Sequence, residues 1–277
     1  MVAAYAFCQA LIKKIIKDRV LAMANEVTYK SLLALFPFII FLMTLLGFLR
    51  IDSDLLLAKF LPYLPDQVAA VFIAFVDEVI DTKKPALLSV SLLTAIYSAS
   101  SGFKAVMRGI NRAYGEEKKR GFIVETLLSI ALVFVFAVIL IMSLAVLIFS
   151  DVARMHFFAN LSDFSWRIYE SLIAIVVFFI IFAAIVLIYK ASLNRGAPLR
   201  RIWPGAAVAA ILWQAASAAF NIYVNGFASY SIVYGGIGGI FVLLIWLNIL
   251  AFILLLGSEV NAVTTMRLSV ADKKPTG

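Results

Sequence analysis

Long runs without charge alternate with short charged connections along this chain. The uncharged runs cover 31–49, 86–101, 126–150 and 171–189, and a final run of 57 residues covers 202–258. About 20 apolar residues in a helix cross the roughly 30 Å of hydrocarbon in a bilayer. The first four runs therefore read as one crossing each. A single helix over the last run would reach roughly 85 Å at 1.5 Å per residue, so that run reads as two crossings, 202–226 and 235–257. The second run is the shortest and the most polar, with Ser89, Ser91, Thr94, Ser98, Ser100 and Ser101.

Three further segments carry apolar residues at helical spacing opposite charge. Phe7, Leu11, Ile12, Ile15 and Ile16 oppose Lys13, Lys14 and Lys17, as on a helix lying on the inner leaflet. Phe103, Val106, Met107, Ile110 and Tyr114 oppose Lys104, Arg108, Asn111 and Arg112. The third segment, 66–79, follows the chain break at Pro62 and Pro65. The pattern predicts an all-α polytopic membrane protein, one integral domain over 1–277, with six transmembrane helices plus amphipathic interfacial helices. The tail 272–277 is polar and reads as disordered.

Composition agrees: 64% of residues are apolar types, 14% are charged, and mean hydropathy is +1.03. A soluble domain is nearer half apolar and a quarter charged. The net charge of +8 acquires a meaning from its distribution. With the N-terminus inside, 18 Lys and Arg fall in inner segments and 6 in outer ones. That alternation is the positive-inside pattern. It places both termini in the cytoplasm, and it argues against nucleic acid as the reason for the basic balance. Anionic lipid headgroups on the cytoplasmic side are the expected partners of Lys104, Arg108 and Arg112.

Catalytic chemistry finds little to stand on. His156 is the single histidine and Cys8 the single cysteine, so no histidine pair for zinc and no intrachain disulfide can form. Asp77, Glu78 and Asp81, like Glu116 and Glu117, sit beside lysines and read as solvated charge. Ser258 follows Gly257 without a nucleophile-elbow motif. No cofactor, metal site or catalytic residue is expected. The polar groups at membrane depth remain, and such groups often mark a path. Asn221, Asn225, Tyr230, Tyr234, Asn248 and Glu259 are the expected path residues. The alternative is interhelical hydrogen bonding for the amides, and a pairing of Glu259 with Arg267 or Lys30. Gly235 and Gly239 give a small face for helix packing. The uncharged stretch 225–240 reads either as part of an outward-facing cavity or its lid, or as a packed hairpin.

Three stretches carry a resemblance: YKSLLALFP at 29–37, YSASSGFKAVMRGINRAYG at 97–115, and 213–261 with YVNGFASYSIVYG, LIW and LGSEVN. Together they resemble the YihY/BrkB family of bacterial inner-membrane proteins, historically labelled ribonuclease BN. The likeness covers about 20–262; Asn248 departs from it, where the family often has an aromatic residue. The resemblance implies six membrane helices with cytoplasmic ends and a place in the envelope linked to virulence, but no settled activity. Transport or translocation of a lipid, amphiphile or small solute, through a cavity near the second, fifth and sixth spans, is the first expectation. A structural or partner-binding envelope protein is the second, with a homo-oligomer or an envelope partner left open. A membrane ribonuclease is the third.

Overall fold

The structure is a computed structural model and describes residues 2–48, 85–116, 120–156, 163–193, 198–227 and 231–271. Seven helices make up these residues: α1 (Val2–Lys17), α2 (Val20–Phe48), α3 (Pro85–Ala113), α4 (Phe122–His156), α5 (Asp163–Ser192), α6 (Leu199–Phe227) and α7 (Ser231–Ala271). Among the described residues α3 to α7 are each long and apolar enough to cross a membrane. That is five spans against the six expected. The remaining one, 31–49, falls on α2, where most side chains beyond Phe41 lie outside the described residues. The amphipathic segment 66–79, like His156's connection and the tail 272–277, also lies outside them or beyond their described side chains.

Two expectations change. The short second span and the amphipathic segment after it are one continuous helix, α3, of 29 residues. Val106, Met107 and Ile110 are buried in the core rather than laid on a leaflet. The long uncharged run does divide, with α6 ending at Phe227 and α7 starting at Ser231.

The helices pack around a core concentrated where α1, the start of α2, the last turns of α3 and α5, the start of α6 and residues 251–255 of α7 meet. Val20 and Ala24 of α2, Ile110 of α3, Tyr189 of α5, Ile202 and Ala206 of α6 and Leu255 of α7 belong to it. We call this the basic end. Elsewhere the large apolar side chains point outward: Leu93 is 67% exposed, Leu127 63% and Ile222 75%. A soluble fold would hide such residues; a bundle solvated by lipid leaves them on its surface.

Lipid gives helices no hydrophobic reason to associate, so they hold together by close packing and interhelical hydrogen bonds. The closest approach is between α6 and α7. A Cβ placed on Gly205 would overlap the Gly257 carbonyl oxygen and the Asn261 side chain, and one on Gly257 would overlap the Tyr189 hydroxyl. Ala206, Ala209 and Ala210 extend this small face of α6.

Helix ends are resolved locally. After α3, Gly115 adopts φ +65°, its N–H donates to the Arg112 carbonyl, and the Glu116 N–H donates to the Asn111 carbonyl. This paired closure needs a left-handed residue, which glycine supplies without strain. Between α1 and α2 the same left-handed turn falls on Arg19, at φ 52°.

Gly205→Ala is expected to destabilise the protein by about 1–3 kcal/mol, as for overpacking, because the new methyl meets backbone. Gly121→Ala, with nothing within 4 Å, is expected to change little. Thermal unfolding of both variants in the same detergent checks the contrast; equal stability would contradict it.

Candidate functional site at the basic end

Two helix C-termini, those of α3 and α5, collect at this end. Each brings carbonyls without partners inside its own helix and a partial negative charge. Basic and amide side chains satisfy them. Arg120 donates to the carbonyls of Ala191 (2.8 Å) and Leu193 (2.7 Å) at the end of α5. Asn111 donates to the Ser192 carbonyl at 3.0 Å. Lys14 reaches across from α1 and donates to the Ala113 carbonyl, the last of α3, at 2.5 Å.

Lys14 is the centre of the site. Its Nζ lies 2.6 Å from Asp18 Oδ2 and 3.0 Å from Glu259 Oε2. Side-chain exposures are 12% for Lys14 and Asp18 and 2% for Glu259. The ammonium spends well-aligned hydrogen bonds on Asp18 and Ala113. Glu259 Oε2 is close enough for an ion pair but poorly aligned, and this buried atom receives no hydrogen bond. The expected pairing of Glu259 with Lys30 or Arg267 is thus replaced by one with Lys14. Lys30 binds Glu26 instead (2.8 Å), and the Arg267 side chain lies outside the described ones.

One side chain of α1 is corrected with it. Lys14, read on the charged face, turns into the bundle, while Ile12 and Ile16 are 57% and 71% exposed, as a face toward a leaflet would be. The signal available in the sequence was the Lys14–Asp18 spacing of i to i+4, which brings two side chains onto one helical face.

Asn261, one turn from Gly257, fastens α7 to α6. It accepts from the Gly205 N–H at 2.6 Å and donates to the Ile202 carbonyl at 2.7 Å. Tyr189 donates to the Leu254 carbonyl at 2.5 Å. Burial pushes the neighbouring Tyr114 phenol well above its ordinary range, so it stays protonated.

The other expected residues are spread over the bundle. Asn248 donates to Asn25 Oδ1 at 2.8 Å and Thr28 Oγ1 at 3.2 Å, tying α7 to α2. Asn221 is exposed on α6. Tyr230 lies outside the described residues; Asn225, Tyr234, Gly235 and Gly239 fall on helical backbone whose side chains lie outside them. Asn248 is thus engaged by α2 rather than by Glu259. The hydroxyls of α3 mostly bond their own helix, Ser91 to Leu88 and Thr94 to Val90, while Ser100 meets Ser129 of α4 at 2.6 Å.

A second charged group lies between α2, α3 and α4. Arg108 is 2.5 Å from Glu26 and 3.9 Å from Glu125. Lys104 donates to Thr126 at 2.9 Å and stands 5.0 Å over the Phe122 ring. Arg112 is exposed. The Lys30 hydrogen bond, with Arg108 beside it, holds the Glu26 carboxyl below the usual carboxylate range. Among the described residues, no three His, Cys, Asp or Glu side chains group to hold a metal ion.

The fold and this site define a polytopic helical membrane protein with a buried ion cluster at one end. The family model "Virulence factor BrkB" matches residues 11–276, and the chain belongs to the BrkB family. It is 33% identical over 255 residues to the "Putative ribonuclease-like protein YfkH" of Bacillus subtilis (strain 168), covering 90% of this chain and 92% of that one. It is 24% identical over 270 residues to the "UPF0761 membrane protein VV0203" of Vibrio vulnificus (strain YJ016), covering 94% and 82%. No solved structure matches.

Two outcomes are expected. Asn261→Leu leaves the buried Gly205 N–H and Ile202 carbonyl unpaired, at about 1–3 kcal/mol each. Asn248→Leu costs less, since its partner Asn25 is exposed and rebonds to water. Unfolding of both variants compares them. The Glu26 contribution is present above the ordinary carboxylate pKa and lost as pH falls through its lowered value. Acidification should therefore lower the melting temperature more in wild type than in Glu26→Gln. The difference should be small, because the pair is well exposed and screened.

Proposed function

We propose that this chain translocates an amphiphile, a lipid or a small charged-headgroup solute, across the bacterial cytoplasmic membrane, with both termini in the cytoplasm. The observation that carries the reading is the ion cluster beneath α1. A buried ion pair is an ineffective way to join two helices, since a well-packed apolar pair is often as stable or more so. Charge at membrane depth is more often part of a path. Here the cluster lies where α1 closes the base of the bundle, so movement of α1 would open that base. The charge alternation supports the orientation. The outward strip of Tyr5, Ile12 and Ile16, with Lys13 and Lys17 beside it, suits α1 to an anionic leaflet. We assign headgroup contact to the exposed Arg112 and to Lys104, whereas Arg108 is engaged by Glu26.

One observation favours a second reading, a structural or partner-binding envelope protein. Asn248 and Asn261 are both taken up by neighbouring helices, which is what packing alone requires. The third reading, a ribonuclease, draws on the Bacillus relative's name and on no residue constellation here; we read the chain as not an enzyme.

Purified protein in liposomes with a fluorescent phospholipid in one leaflet tests the proposal. Wild type should speed transfer to the other leaflet at least several-fold over protein-free liposomes. An Asn225→Ala, Tyr230→Ala double variant should reduce that gain. Transfer at the protein-free rate, with no lipid or amphiphile enriched on the purified protein, would favour the second reading.

A further inference from the structure

The cluster at the basic end contains one ammonium and two carboxyls, each at most 12% exposed. With both carboxyls ionised the site would hold a net negative charge. Two of the ammonium's three N–H bonds go to Asp18 and Ala113, and Glu259 Oε2, 3.0 Å away, is poorly aligned for the third and receives no hydrogen bond. The Asp18 and Glu259 carboxyls flank the same ammonium, at 2.6 Å and 3.0 Å. Two ionised carboxylates held so close together in a buried site repel, which favours a proton on the cluster.

The surroundings offer no other compensation. From α3 come the Ala113 carbonyl and, just beyond the helix, the Tyr114 phenol. From α5 comes the Tyr189 phenol, whose proton is used on Leu254. From α6 comes the Gly205 N–H, used on Asn261. On α1 and its turn Lys13, Lys17 and Arg19 are exposed. Among the described residues, Lys14 is the one cation within ion-pair distance of either carboxyl.

We propose that Lys14, Asp18 and Glu259 form a proton-binding cluster beneath α1 that takes up one proton, with Lys14 balancing the charge that remains. The site exists only while α1 is docked, because Lys14 and Asp18 belong to α1 and its turn, and Glu259 to α7. With α1 released into water, both carboxyls are ionised at neutral pH. Docking therefore takes up a proton. By linkage, docking is favoured at lower pH and weakens as pH rises. That the proton is exchanged during transport rests on the translocation reading; the site itself does not.

Infrared spectroscopy of the full chain in lipid nanodiscs tests the proposal. At neutral pH the wild type should show a carbonyl band of a protonated carboxylic acid that shifts in heavy water. The band should vanish in Asp18→Asn and in Glu259→Gln, because each leaves one carboxylate facing one ammonium, a balanced pair that preserves the fold. It should survive in Glu26→Gln, which lies outside the cluster. A wild type without this band at neutral pH, or a band unchanged in both cluster variants, would overturn the proposal. The single cysteine, Cys8, is exposed on α1 and carries a fluorophore for a second readout. Its emission should change with rising pH in wild type and stay flat in both variants; identical pH curves in all three would overturn the link to docking. The infrared result as expected, together with lipid transfer at the protein-free rate, would uphold the site and remove the translocation reading alone.

Discussion

The contact between Gly205 and Gly257 sets the geometry on which the rest of the basic end depends. Backbone approaches backbone this closely only where neither residue has a side chain, and here any added Cβ meets a carbonyl oxygen. The approach puts Asn261 within reach of α6, where it accepts from Gly205 and donates to Ile202. It also brings Tyr189 onto the Leu254 carbonyl. Glu259 lies between Gly257 and Asn261 in sequence, on the next face of α7. Once those two are fixed against α6, its carboxyl is committed to the space that α1 closes with Lys14 and Asp18. Packing thus comes first, and the charge cluster is placed by it.

The basic balance of the chain has two physical sources at the same end. One is the topology signal that the sequence pattern suggests, with Lys and Arg kept on one side of a membrane. The other is local: the C-termini of α3 and α5 meet there, and their unpaired carbonyls and dipoles attract cations. Lys14 and Arg120 cap carbonyls of α3 and α5, and Asn111 helps with the second. These residues hold the bundle together while contributing to a charge pattern that the sequence alone presents as topology.

Much of the architecture was legible because hydrocarbon thickness is a hard ruler. Uncharged runs of 19 and 25 residues announced α5 and α4, and the 57-residue run announced a break that falls between Phe227 and Ser231. The same ruler misled at α3. Lys104 and Arg108 are charged and close to the bilayer edge, so 86–101 looked complete; the helix in fact continues to Ala113, with its apolar face inside the bundle. The site was less legible, because which helix faces which is a long-range fact. Glu259 stood out as a charge near membrane depth, but its partner is about 245 positions away in the chain. Lys14 looked like a solvent-side lysine between Ile12 and Ile16, and nothing local says that it turns inward. Gly205 was hidden among alanines, while Gly235 and Gly239 drew the eye by their spacing.

The central claim is that Lys14 and Glu259 are energetically coupled across the α1–α7 boundary. A double-mutant cycle measures this directly, with unfolding of wild type, Lys14→Met, Glu259→Gln and the double variant in one lipid or detergent system. Lys14→Met alone strands two buried carboxyls and should be strongly destabilising. Adding Glu259→Gln should recover about 1–3 kcal/mol of that loss. Losses that simply add would contradict the account and return α1 to an independent helix resting on the bundle.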